Sequence, residues 1–248
     1  MPDELLARLR RFHDHAFPQH ESTFRTLVDD GQHPSTLFIG CSDSRLVPYL
    51  LTGSGPGELF LVRNVGAFVP PYDGYLHASS SADASAPTGG AHPLEAPAQW
   101  VGFHGTAAAI EFAVLSLHVS RIIVCGHSHC GGVRALYDGV PAAARNLRQW
   151  LQLGREAALP VAEPGPEVLR RTEQRAVVLQ LERLMDYPMV REQVEAEKLT
   201  LHGWHYVIED GEVHVFDVQR GAFIAASASE HAGTGPYAGY ADQPAEPV

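Results

Sequence analysis

The residues richest in chemistry sit in two short stretches. The first, Gly40-Cys-Ser-Asp-Ser-Arg-Leu46, follows the apolar run STLFI and sets a thiol, a carboxylate and a guanidinium at alternate positions, Cys41, Asp43 and Arg45. On extended backbone, residues two apart leave on the same side, so the three side chains can meet. The second, Gly126-His-Ser-His-Cys-Gly-Gly132, follows the apolar strand-like run RIIVC. Cys41, His127 and Cys130 then make a Cys2His donor set, which suits zinc and leaves a fourth position for water or a carboxylate. His129 is the alternative imidazole donor. A catalytic zinc keeps that fourth position open, whereas a structural one closes it. Cys130 falls at a helix start, where the terminal amides and the dipole favour a thiolate. Gly131 and Gly132 leave backbone N–H groups approachable by a small anion. Cys125, inside the strand, reads as a packed thiol.

Both stretches lie just past the carboxyl end of an apolar run, which is where open α/β sheets gather ligand groups. The spacing predicts strands over 35–41, 57–64 and 121–126, a helix over 106–119, and further helices from about Val133, over 143–153 and over 166–197 with a break at Pro188. The runs LTLHGWHYVI and GEVHVFD, joined by EDG, predict a hairpin. Residues 1–30 read as a helical arm with Leu5, Leu6, Leu9, Phe12, Phe24 and Leu27 at helical spacing, broken around Pro18. The arm's apolar stripe is too large to leave wet, so it is expected on a partner subunit. The predicted architecture is α/β: a mainly parallel sheet with an antiparallel edge strand, flanked by helices and preceded by the arm, with the main domain over 31–226. A Pro-, Gly- and Ser-rich loop insertion at 72–98 and a tail at 227–248 are too poor in apolar residues to order themselves.

Composition narrows the partners. A formal net charge of −11 over 248 residues disfavours nucleic acid and anionic membranes, both of which need clustered cations. Three cysteines are too few and odd in number for a secreted disulfide framework, so reduced thiols in the cytoplasm are expected. The start, MPDELLARLRRFHDH, has no apolar targeting core, and no run approaches the ~20 apolar residues that span a bilayer.

The stretches CSDSRLVP, PGELFLVRNVGAFVPPY, GTAAAIEFAV, IIVCGHSHCGG and LHGWHYVIEDGEVHVFD, in that order, resemble the β-class carbonic anhydrases from about Gln32 to Asp217, apart from the insertion. The resemblance implies one catalytic Zn2+ per chain, held by Cys41, His127 and Cys130, that hydrates carbon dioxide to bicarbonate. It implies a carboxylate–guanidinium dyad of Asp43 and Arg45, in which Arg45 keeps the carboxylate off the metal and turned towards the zinc-bound nucleophile. It further implies a small substrate pocket of Gln32, Phe60, Val65 and the Gly131 amide, and a homodimer or larger even assembly. Phe38 stands where the subtype with a bicarbonate regulatory pocket carries a Trp, which favours the open-site subtype. Two departures are Phe112 in place of a Tyr and Ala67 in place of an Asn. Two other readings use the same donors: hydrolysis of carbonyl sulfide or carbon disulfide, and a structural zinc site closed by Asp43. Proton relay falls to no particular residue among 14 histidines, where His104 and His129 read as ordinary surface groups.

Overall fold

A computed structural model describes residues 3–72, 104–161 and 164–228. The chain opens with helix α1 (Glu4–Arg11), whose start is capped by the Asp3 carboxylate on the amides of Leu5 and Leu6. A π-helical turn (Phe12–Ala16) leads straight into α2 (Phe17–Asp29). Pro18 therefore does not break the arm; it sits in the first turn of α2, where a missing N–H costs nothing.

The sheet has six strands in the order β2-β1-β3-β4-β5-β6: β1 (Thr36–Cys41), β2 (Leu59–Asn64), β3 (Arg121–His127), β4 (Thr200–Val207), β5 (Glu212–Asp217) and β6 (Ala222–Ala225). The first four run parallel, and β5 and β6 are antiparallel. The antiparallel edge thus comprises two strands where the sequence predicted one. Strand β6, AFIA, is only four residues long and carries no alternation that would mark it in advance. From β1 the chain first moves outward to β2 and then returns to the other side for β3. The carboxyl ends of β1 and β3 consequently flank the point where the winding reverses.

Strand side chains alternate between two cores. Leu37 and Ile39 of β1 join Ile122 and Val124 of β3 under α4 (Gly105–Leu115), α7 (Pro166–Met185) and α8 (Pro188–Glu195). Phe38 and Ile123 point the other way, with Val133 of α5 (Gly131–Asp138) and Leu151 of α6 (Arg145–Leu151). A short helix α3 (Pro48–Thr52) follows the first chemical stretch. Helix α7 lies unusually close to the sheet, because a Cβ on Gly126 would come within 2.7 Å of Val177 and one on Gly203 within 3.0 Å. Two glycines on neighbouring strands therefore form the trough in which Val177 rests. The insertion expected at 72–98 and the tail expected at 227–248 lie, but for Tyr72, Ser227 and Ala228, outside the described residues.

One buried polar group makes stability depend on pH. His202 of β4 accepts burial by staying neutral, hydrogen-bonded through Nε2 to Thr200 Oγ1 at 2.9 Å, and burial lowers its pKa to about 4. The unfolded chain takes up a proton below about 6.5 while the folded one does not, so stability is lost as pH falls from about 6.5 and the loss levels off near 4. Between pH 6.5 and 4.5 this single residue is expected to cost about 2 kcal/mol. Urea unfolding of wild type and His202→Leu at the two pH values measures it, and parallel pH responses would refute it.

Candidate metal centre

The two chemical stretches meet where the winding of the sheet reverses. Cys41 is the last residue of β1, His127 the last of β3, and Cys130 caps the start of α5. Their donor atoms lie within 4.8 Å of one another, and all three residues are buried. The two Sγ atoms are 3.9 Å apart. Two thiolates at about 2.3 Å from a tetrahedral ion would stand about 3.8 Å apart, so the spacing fits zinc. His127 Nδ1 faces the Ser128 carbonyl at 2.8 Å and donates to it, which leaves Nε2 as the acceptor. That Nε2 is buried without a hydrogen-bond partner among the described residues, the state expected of a metal ligand.

The electrostatics agree with the donor set. A hydrogen bond from Cys130, assisted by His127 and the backbone and opposed by burial, brings Cys41 down to about 4. The same hydrogen bond, with burial, raises Cys130 well above the ordinary thiol range. The metal-free pair thus shares one proton, which a metal must expel. Burial disfavours charge on His127, but the neighbouring Cys41 outweighs it and the ring is raised. Cys125 is a different case: burial pushes its thiol far up, and it packs in the core. His129 is exposed, with its Nε2 3.3 Å from Glu209 Oε1, and lies apart from the donors. It adopts a left-handed backbone (φ 56°), which turns its side chain out of the run that carries His127 and Cys130.

Asp43 and Arg45 form a two-pronged pair. Arg45 Nε donates to Asp43 Oδ1 at 2.9 Å and Nη2 to Oδ2 at 2.8 Å, and the Arg45 amide adds a bond to Oδ1 at 3.0 Å. Arg45 Nη2 also reaches the His129 carbonyl at 3.1 Å, which ties the two stretches together. The guanidinium holds the Asp43 carboxyl well below the usual carboxylate range. Its Oδ2 stands 3.9 Å from His127 Nε2, facing the donors without bonding to them.

The four residues assigned to a substrate pocket divide. Val65 and Gly131 lie beside the donors: a Cβ on Gly132 would meet Val65 at 3.0 Å, the Gly66 amide donates to Cys41 Sγ at 3.4 Å, and the space around Gly131 is open. Phe60 pairs in register with Leu37, four positions before Cys41, and packs at a tilt against Phe112 with ring centroids 5.7 Å apart. Gln32 precedes β1 altogether, before its amino end, whereas Cys41 closes its carboxyl end. Ala67, where the resembled family has an Asn, is buried in a left-handed conformation (φ 56°) that an Asn would tolerate better. His104 is half-buried and stacked on Trp150 at 5.1 Å, not an ordinary surface histidine as expected.

Three residues absent from the sequence reading brace the centre. Arg63 of β2 donates to the carbonyls of Cys41 (3.1 Å), Asp43 (2.7 Å) and Leu46 (2.8 Å), holding the bend that follows β1. Glu173 of α7 accepts the Cys130 amide at 3.0 Å, and His205 of β4 is 3.1 Å from its other oxygen. A signal for the last two existed. Glu173 occupies the same helix face as Val177 and Leu181, and His205 alternates with Leu201 and Val207, so each is polar at a core position.

Comparison with known proteins agrees with this geometry. The family model described as carbonic anhydrase matches residues 36–213. A carbonic anhydrase of Synechocystis sp. is 32% identical over 251 residues, covering 98% of this chain and 81% of the relative. Among solved structures, the β-carbonic anhydrase CcaA superposes with a TM-score of 0.75 at 31% identity, covering 92% of this chain and 93% of that one. One of two tetrameric β-carbonic anhydrases from Sordaria macrospora superposes with a TM-score of 0.64 at 26% identity, covering 89% and 97%.

Proposed function

The chain belongs to the β-class carbonic anhydrases, and from that membership we propose that it hydrates carbon dioxide reversibly at one zinc ion held by Cys41, His127 and Cys130. The observation that carries the reading is the buried His127 Nε2, without a hydrogen-bond partner among the described residues, set among two thiols at tetrahedral spacing. Zinc, when bound, supplies a Lewis acid that makes water nucleophilic near neutral pH. The chain's own groups do the rest. Asp43 is too weak a base to take a proton near neutrality, since Arg45 holds it ionised, so it serves as a fixed hydrogen-bond acceptor that orients the attacking water. Val65 gives an apolar wall for an uncharged, linear substrate. The Gly131 amide, at the start of α5 where an added Cβ would meet nothing within 4 Å, offers a donor to the oxygen that gains charge. The clamp on Asp43 also argues against a structural site, which would need that carboxylate on the metal.

Gln32 and Phe60 serve this pocket only if a second copy brings them to it, because a single chain keeps both away from its own donors. The arm supports such pairing: α1 buries none of its residues, and Leu5 and Leu9 are 68% and 64% exposed. Apolar side chains so placed need a cover, and a homodimer or larger even assembly supplies it. Deleting residues 1–30 is expected to weaken assembly and activity together, read by sedimentation at micromolar concentration. A truncated protein of unchanged mass and turnover would refute the shared pocket. A reducing, cytoplasmic setting suits the three cysteines, all of them free. No helix among the described residues is long and apolar enough to cross a membrane. Stopped-flow hydration of carbon dioxide beside zinc content tests the main reading, and one zinc per chain without hydration above background would overturn it.

A further inference from the structure

Against the backbone amide of Cys130 lies a buried acid–base pair, Glu173 and His205, to which the proposed reaction assigns no role. Glu173 is 4% exposed and His205 fully buried. The Cys130 amide donates to Oε1 at 3.0 Å, and His205 Nε2, 3.1 Å from Oε2, is assigned as the donor of the second contact. The assignment leaves His205 Nδ1 as a bare acceptor, and that atom is indeed buried without a partner among the described residues. The opposite assignment would strand an N–H there.

A leucine at 173 would fit the apolar face of α7 at less desolvation cost, so a buried carboxyl beside a neutral imidazole is weak evidence for stability. What the carboxylate adds is a hold on one backbone amide. Cys130 stands at the N-cap of α5, where its N–H has no partner within the helix. With Glu173 on the amide and the Arg134 amide donating to the Cys130 carbonyl at 2.9 Å, both backbone groups of the ligand residue are fixed. The trough of Gly126 and Gly203 seats Val177 one helical turn from Glu173, so the close approach of α7 is what lets the carboxylate reach the loop.

We propose that Glu173, oriented by His205, is a positioning residue for the Cys130 thiolate and thereby sets how tightly and in what geometry the centre holds zinc. The proposal rests on the reading of Cys41, His127 and Cys130 as zinc ligands.

The test measures zinc dissociation constants by chelator competition, and visible spectra of the cobalt-substituted protein, for wild type, Glu173→Leu, Glu173→Gln and Cys130→Ala. Glu173→Leu is expected to bind zinc about 10- to 100-fold more weakly, with an altered cobalt spectrum. Glu173→Gln keeps an oxygen for the Cys130 amide and is expected to stay within about threefold of wild type, although His205 must change tautomer and the protein melts earlier. Wild-type affinity and spectrum in Glu173→Leu would overturn the proposal, as would a Gln variant as weak as the Leu one. Should Glu173→Leu fail to fold, hydrogen exchange at the Cys130 amide decides: slow exchange in zinc-loaded wild type and Glu173→Gln supports the hold, and exchange at the rate of an open amide refutes it. Equal zinc binding by wild type and Cys130→Ala would instead remove the metal centre itself, and the proposal with it.

Discussion

Replacing Cys41, His127 or Cys130 by alanine, one at a time, is expected to leave proteins that hold zinc about a thousandfold less tightly and hydrate carbon dioxide no faster than background. The size follows from the ligand count. Zinc sites of this kind gain on the order of 10–16 kcal/mol from their ligands, so losing one of three removes several kcal/mol, and about 4 kcal/mol is a thousandfold. The three changes differ in their side effects. Cys41→Ala leaves the Gly66 amide without its sulfur acceptor, and His127→Ala opens a hole beside the Ser128 carbonyl. His129→Ala and Cys125→Ser are the controls and keep their zinc, because neither residue belongs to the donor cluster. Metal content by atomic emission on purified variants reads the result, and full occupancy in any of the three alanine variants would strike that residue from the ligands.

Arg45→Ala is expected to keep its zinc and lose about 10- to 100-fold in kcat/KM. The guanidinium makes two of the hydrogen bonds that hold Asp43, and alanine retains only the backbone one to Oδ1. The released Oδ2, 3.9 Å from His127 Nε2, would then be free to turn towards an ion held by the three donors and take the position left for water. Arg45→Lys should recover little, since an ammonium offers a point charge where a planar fork is needed. The Arg45 contact to the His129 carbonyl is lost as well, so some loosening of the second stretch accompanies the effect. Zinc content, kcat/KM and the metal's X-ray absorption edge on one preparation separate gating from metal loss. Wild-type turnover, or a zinc without an added oxygen ligand, would end the gating role.

The clustering of Cys41, His127 and Cys130 and the Asp43–Arg45 pair were legible in the sequence because each stretch follows an apolar run and because period-two spacing puts Cys41, Asp43 and Arg45 on one side. The parallel sheet was legible for the same reason: its inner strands are nearly continuous apolar runs. Strand β6 was not, since a four-residue edge strand is decided by what it pairs with and not by its own pattern. The braces were harder still. Arg63, Glu173 and His205 act across 17 to 43 positions of sequence, on backbone groups or, for His205, on the Glu173 carboxyl, whose location only the folded chain defines. Gln32 and Phe60 show the converse. The resemblance assigned them to one pocket with Cys41, but a single chain sets them elsewhere, because strand order and direction override nearness in sequence.

The two sulfurs come from residues 89 apart in the chain. Cys41 and the His127–Cys130 segment meet only once β1 and β3 have aligned in parallel, a pairing that must first close a long loop and is therefore expected late in folding. A metal ion therefore finds only a loose two-point foothold, His127 and Cys130, on the unfolded chain. Its grip on the native state would then come only after the barrier is crossed. Zinc should accordingly leave the refolding rate almost unchanged and slow unfolding, lengthening the lifetime of the native protein in proportion to its occupancy. In a cell, the ion would act as a latch on a finished fold, and a shortage of zinc would shorten the life of the protein as well as idle it.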